Sequence, residues 1–292
     1  MHGQRPIVKK KKDQDTKNRE RATARSLIQI AETLSGETLR ATVPLYYEGD
    51  NGQPALLGSG VLLSLGGVRF LLTAGHVLDH LQTKQLSAGV PEGLLTIAGL
   101  PTRLRSLGAS KNEDDRIDVG FMRLDGAPWK TLEESNFLTW ADLDIATPTA
   151  ERHTYGLVAY PVSVNKRPLD GAHLTAAAFR VGGIECERSA YEERKIDPMN
   201  HVMVGFDKNA VFDASGPRNA PDLYGASGGG LWRFGRRLRN ASGRPKLSAI
   251  ATEWEKRGRH RYILGTRIQL VIEALGEKYQ DVGQFVSEQL AQ

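Results

Sequence analysis

The chain has 292 residues, 40% hydrophobic and 25% charged, with a formal net charge of +5 and a single cysteine, Cys186. One cysteine excludes an intramolecular disulfide framework and suits a reducing compartment; no stretch reaches the length of a membrane span. The first residues carry charge without the apolar core of a secretory signal, so a cytoplasmic location is expected.

The charge is uneven. Residues 1–25 hold nine Lys or Arg against three acids, a balance of +6 that leaves −1 for the rest of the chain. The sequence pI of about 9.3 thus belongs to one arm and does not imply that the folded body binds nucleic acid. Residues 1–16 are polar and lysine-rich and read as disordered. Ala24, Leu27, Ile28, Ala31 and Leu34 then recur at helical spacing, with Gly36 as a stop. This amphipathic helix either packs on the body or serves as a docking arm for an activating protein partner. Together these stretches form a first segment, 1–40.

A β unit is expected over 41–125. Ala41 to Tyr47 reads as a strand, and two apolar runs around Leu65-Gly66-Gly67 read as a hairpin. The second run leads through Phe70-Leu71-Leu72-Thr73-Ala74-Gly75 to His76. His76 and His80 have zinc-ligand spacing. The glutamate a zincin needs after the first histidine is replaced by Val77, so no metal is expected and His80 reads as a surface residue. Segments 94–106 and 117–124 complete the unit. Asp118 heads the alternating run Ile117 to Leu124, and Asp114 and Asp115 beside it read as loop charges.

Residues 126–152, with Pro128, Trp129, Trp140 and Pro148, read as a linker. A second β unit follows over 153–268. Its strands are placed at 153–161, 172–184 and 200–206, with a charged loop over 185–197 and a turn-rich loop over 213–221. That loop delivers the chain to Tyr224-Gly225-Ala226-Ser227-Gly228-Gly229-Gly230-Leu231-Trp232. A basic hairpin over 233–246 reads as a solvated face, and two strands near 248–254 and 262–268 close the unit. Residues 269–292 carry a helical pattern.

Glycines around Ser227 allow a turn that exposes its hydroxyl and aims backbone N–H groups at one point, which is what an acyl-transfer nucleophile requires. The same pattern also occurs in plain turns. A serine nucleophile further needs a base and a group to orient that base; His76 and Asp118 supply both residue types upstream. Thr73-Ala74-Gly75-His76, Asp118 to Leu124 and Gly225-Ala226-Ser227-Gly228-Gly229 resemble, in this order, the three signatures of the trypsin-like (chymotrypsin-fold) serine peptidases. His76 and Asp118 are 42 residues apart, and Asp118 and Ser227 are 109 apart, spacing that suits this family.

The resemblance covers roughly 41–275 at the level of motif order. It implies an all-β fold of two consecutive six-stranded antiparallel barrels, here with an N-terminal helical extension and a C-terminal helix. It implies an endopeptidase in which Ser227 is nucleophile, His76 base and Asp118 its orienter. The Gly225 and Ser227 N–H groups would form the oxyanion hole, and no metal or organic cofactor is required. Protein or peptide is the expected substrate, and cytoplasmic bacterial members of the family can be effectors switched on by a partner. Carried onto this chain, the pocket for the residue before the cut comprises Pro221, Asp222, Thr252, Trp254 and Ile263. Proline cannot select a basic residue, and Trp254 and Ile263 fill glycine-like positions, so a shallow pocket for small or medium apolar residues is expected. An acidic base through Asp222 is the other reading. A non-catalytic binding module, or a nucleic-acid-associated one using the basic arm and hairpin, is the alternative function.

Overall fold

Short alternating apolar runs separated by glycine turns give the described chain its two antiparallel sheets. The computed structural model describes residues 22–49, 52–91, 93–105, 116–149, 151–165, 176–209, 211–213, 216–234, 244–257 and 261–291. The lysine-rich start of the chain, Asp114, Asp115 and the tip of the basic hairpin lie outside them.

The first sheet contains β1 (Thr42–Glu48), β2 (Pro54–Leu65), β3 (Val68–Ala74), β4 (Leu86–Val90), β5 (Gly93–Ile97), β6 (Thr102–Leu104) and β7 (Val119–Arg123). Their spatial order is β5-β4-β1-β2-β3-β7-β6. β5 and β6 are consecutive in the chain yet occupy opposite ends of this order, β5 on β4 and β6 on β7. The sheet therefore curls until its ends meet along one bent stretch of chain, and the result is barrel-like.

The second half runs through β8 (Thr154–Ala159), β9 (Phe179–Ile184), β10 (His201–Gly205), β11 (Val211–Asp213), β12 (Gly216–Arg218), β13 (Gly230–Phe234), β14 (Lys246–Glu255) and β15 (Tyr262–Arg267). Six of these form a sheet in the order β10-β15-β14-β13-β8-β9, and β11 and β12 make a separate ribbon. A bridge from Glu185 to Val204, with the Cys186 N–H donating to the Met203 carbonyl at 2.8 Å, ties its two ends together. This half is barrel-like too.

One apolar cluster fastens the halves. Val61, Phe70, Leu72 and Phe121 of the first sheet pack with Val158, Trp232 and Ile250 of the second. Ile30 of helix α1 (22–33) and Leu34 just after it join the same cluster and are fully buried. Glycines make room for them. A Cβ at Gly156 would lie 2.4 Å from Leu34 Cδ1, and one at Gly182 would lie 2.5 Å from the Leu27 carbonyl oxygen. Burying side chains of this size stabilises by about 1.5–3 kcal/mol each. Helix α1 is therefore part of the packed body rather than a free arm. The short helix α2 (Glu37–Arg40) leads from it into β1.

Three local expectations change. The C-terminal helical pattern is two helices, Ile268–Lys278 and Gln280–Leu290, joined at the extended Tyr279. The break lets the second helix fold back so that Gly283 meets Gly276 and Val282 is buried. The charged loop over 185–197 contains a helix, Arg188–Arg194, whose Ala190 and Tyr191 are buried under a polar face. The strand expected over 172–184 starts at Phe179 among the described residues. No helix among them is long and apolar enough to cross a membrane.

Candidate active site

Register brings the histidine and the acid together. β3 and β7 pair with Ala74 opposite Val119, so the residues just beyond, Gly75 and Asp118, also face one another. The Gly75 N–H donates to the Asp118 carbonyl at 3.0 Å. Gly75 begins the five-residue helix Gly75–Asp79, anchored by buried Val77 and Leu78, and this turn swings His76 over the Asp118 carboxylate. The His76 backbone N–H donates to Asp118 Oδ1 at 2.9 Å, and His76 Nδ1 lies against Asp118 Oδ2. The side chain of His76 is 44% exposed and that of Asp118 15%, so the imidazole keeps an open edge while the carboxylate is enclosed.

The serine turn is built on the first sheet. The Ser59 N–H donates to the Ser227 carbonyl at 2.8 Å, and Ser59 Oγ donates to the Gly225 carbonyl at 2.9 Å. The Tyr160 N–H donates to the same hydroxyl at 2.8 Å. Thr73 Oγ1, three residues before His76, donates to the Ser59 carbonyl at 2.7 Å. A Cβ at Gly58 would lie 2.9 Å from Val77 Cγ2 and 3.2 Å from the Ser227 carbonyl oxygen. The residue after His76 and the backbone of Ser227 thus close on the same glycine. Among the described residues no hydrogen bond joins Ser227 Oγ to His76.

Gly225 and Gly228 have φ of 86° and 88°, the left-handed region that favours glycine. Within this turn the Ala226 N–H donates to the Leu223 carbonyl, Gly228 to Ala251 and Gly229 to Ala226. Among the described residues neither the Gly225 nor the Ser227 N–H meets an acceptor. Among the described residues the half-exposed Ser227 thus keeps its own N–H and that of Gly225 unspent, while Ala226, Gly228 and Gly229 use theirs. An enclosed carboxylate against an imidazole, near a serine with free N–H groups, is an arrangement able to carry out acyl transfer.

The pocket residues are close together but differently employed. Trp254 and Ile263 are cross-strand partners, and the Trp254 indole packs edge-on against Phe206 at 6.2 Å and Tyr224 at 6.3 Å between ring centroids. Thr252 is buried at a register shift in β14, and Pro221 is half-buried. Asp222 pairs with Lys208 at 2.7 Å, which holds its carboxyl below the usual carboxylate range. His80 stacks on Tyr47 away from these groups, and among the described residues no three His, Cys, Asp or Glu side chains gather as a metal site needs. Burial pushes the Cys186 thiol up to about 11, as expected of a packed cysteine rather than a reactive one. Arg233 and Arg244 of the basic hairpin turn back onto acids of the body, Asp144 and Glu37 respectively.

Sequence reasoning passed over two residues here, Ser59 and Arg103. Ser59 is fully buried and its hydroxyl organises the serine turn. Its signal was a serine between two glycines inside an apolar strand, a pattern that marks close backbone approach. Arg103 on β6 donates to Asp118 Oδ1 at 2.8 Å and also contacts Asp79. Nothing in its own segment distinguished it.

His201 on β10 is 3% exposed, and its Nε2 lies 2.7 Å from the carbonyl of Arg116, two residues before Asp118. Burial lowers its pKa from the ordinary 6.5, and burial acts in the same direction on His153. A histidine depressed in the folded state is held neutral there. Its stability contribution is complete above about 6.5 and is lost as pH falls through that value toward the lower folded pKa. Thermal melts should therefore show falling stability below about pH 6.5. His201→Gln, which keeps a donor for Arg116, should reduce that slope; an unchanged slope would remove His201 as a cause.

The chain matches no protein-family model and no curated protein.

Proposed function

We propose that the protein is a serine endopeptidase of the trypsin-like, chymotrypsin-fold kind, acting in the cytoplasm on protein or peptide substrates. The observation that carries this reading is the His76–Asp118 contact beside a serine turn with two unspent N–H donors, seated on β2 and β3 at Ser59 and Thr73. Two successive barrel-like antiparallel sheets joined by one core support the fold assignment.

In this mechanism Ser227 Oγ attacks the scissile carbonyl carbon while His76 Nε2 takes the hydroxyl proton. Asp118, on Nδ1, fixes the tautomer and stabilises the imidazolium. The oxyanion of the tetrahedral intermediate accepts hydrogen bonds from the Gly225 and Ser227 N–H groups. One such donor is typically worth about 10²–10³ in rate. His76 then gives its proton to the leaving amine, and the acyl-enzyme is hydrolysed by water through the same steps.

The pocket residues favour small or medium apolar side chains before the cut. Trp254 occupies the space between Phe206 and Tyr224, and the Asp222 carboxylate is already paired with Lys208 instead of serving as an acidic floor. A positional-scanning peptide library tests both activity and preference. Cleavage after Ala, Val or similar residues is expected. Cleavage confined to Lys or Arg would overturn the shallow pocket, and no cleavage anywhere in the library would count against the peptidase itself.

A further inference from the structure

Arg103 has no part in the three-residue mechanism, yet it is the most enclosed cation at the site, its side chain only 9% exposed. One guanidinium nitrogen donates to Asp118 Oδ1 at 2.8 Å, and the other contacts Asp79 Oδ2. Asp79 ends the same short helix that carries His76. The guanidinium therefore spans the two elements that must stay aligned, the helix holding the base and the strand head holding its acid. β6 sets its position: Arg103 is the cross-strand partner of Gly120, two residues beyond Asp118. The fit is tight, since a Cβ at Gly75 would lie 2.5 Å from Arg103 Nε and 2.6 Å from Asp118 Oδ1.

We infer that Arg103 is a positioning residue for the His76–Asp118 pair, an inference that rests on the peptidase reading above for its effect on rate. Asp118 Oδ1 receives two N–H groups, one from Arg103 and one from the His76 backbone, which leaves Oδ2 directed at His76 Nδ1. A carboxylate with one oxygen fixed in this way has a single rotamer for the other. Charge-assisted hydrogen bonds of this sort are about twice as strong as neutral ones, and a planar guanidinium imposes direction that an ammonium does not. Asp79 completes the arrangement by holding the far side of the guanidinium. Without Arg103 the carboxylate could rotate about its Cβ–Cγ bond, and the imidazole would lose the orientation that Asp118 gives it.

The test compares Arg103→Met, Arg103→Lys and Asp79→Asn with the wild type in the full chain. Two readouts are used: kinetics on a small ester substrate, and the downfield proton NMR resonance of the His76 Nδ1–H shared with Asp118. Arg103→Met should lower kcat by about 10–100-fold with KM little changed, since a small misplacement of a catalytic group costs that order in rate. The downfield resonance should broaden or disappear. Arg103→Lys should restore part of both, and Asp79→Asn, a milder change at a more exposed site, should give a smaller loss of the same kind. Wild-type kcat and an unchanged resonance in folded Arg103→Met would overturn the inference. If that variant does not fold, the same outcome in Asp79→Asn would overturn it. The NMR signal reads the hold on His76 and Asp118 even in a protein that hydrolyses nothing. Failure of the peptidase reading would thus appear as absent wild-type turnover with a resonance still sensitive to Arg103.

Discussion

Ser227→Ala is expected to reduce peptide hydrolysis by about 10⁴-fold or more while leaving the fold intact, and His76→Ala should do the same. The separation of activity from stability follows from how the turn is held. Ser227 is fixed through its carbonyl, which accepts from Ser59, and through the neighbouring backbone bonds of Ala226, Gly228 and Gly229. Among the described residues its hydroxyl makes no hydrogen bond that adds to this support. Asp118→Asn should be comparably impaired, because an amide favours the wrong imidazole tautomer. It would also lose the charge that Arg103 grips. Rates on the peptide library and denaturant midpoints measured on the same preparations check this. Wild-type turnover in pure Ser227→Ala would remove the serine from the mechanism.

Gly228→Ala is expected to be the most destabilising single methyl in the molecule. The position has φ of 88°, and an added Cβ would lie 1.9 Å from the Ser59 carbonyl oxygen and 2.2 Å from Thr73 Oγ1. Neither is the far end of a flexible chain; one is strand backbone and the other a hydroxyl already bonded to it. Relief would require the serine turn to lift off β2, costing more than about 4 kcal/mol and most of the activity. Gly67→Ala gives the comparison. It has φ of 82° but nothing within 4 Å of the added atom, so it carries backbone strain alone, about 1 kcal/mol. Urea denaturation of both variants separates the terms. Equal losses would mean that the seat on Ser59 and Thr73 yields more readily than the distances imply.

What could be read in advance followed from how local each signal was. His76 sits where an apolar run breaks into small residues, Ser227 among glycines that lead into an apolar strand, and Asp118 stands at the head of an alternating strand. Such changes of pattern are visible within ten residues of sequence. The sheets were legible for the same reason, since period-two runs and glycine turns are short-range features. Arg103 was not legible because its role depends on the pairing of β6 with β7, which places it beside an acid 15 residues further along. Likewise Asp222 could be read as a free pocket acid only while Lys208, 14 residues earlier, was not known to reach it. The helix over Arg188–Arg194 was hidden by its polar face: only Ala190 and Tyr191 point inward, too few to set a period. Helix α1 showed its apolar stripe plainly, but its seat did not show. The glycines that receive it, Gly156 and Gly182, lie more than a hundred residues away and look like ordinary strand interruptions.

The peptidase reading rests on Ser227 being a nucleophile activated by His76, and covalent labelling measures that property without knowledge of the substrate. Purified protein is incubated with a fluorophosphonate probe, digested, and the modified residue located by mass spectrometry. Stoichiometric modification of Ser227, slowed by orders of magnitude in His76→Ala and absent in Ser227→Ala, is the predicted result. Wild-type protein that stays unmodified at Ser227, or that is modified equally fast when His76 is replaced, would contradict it.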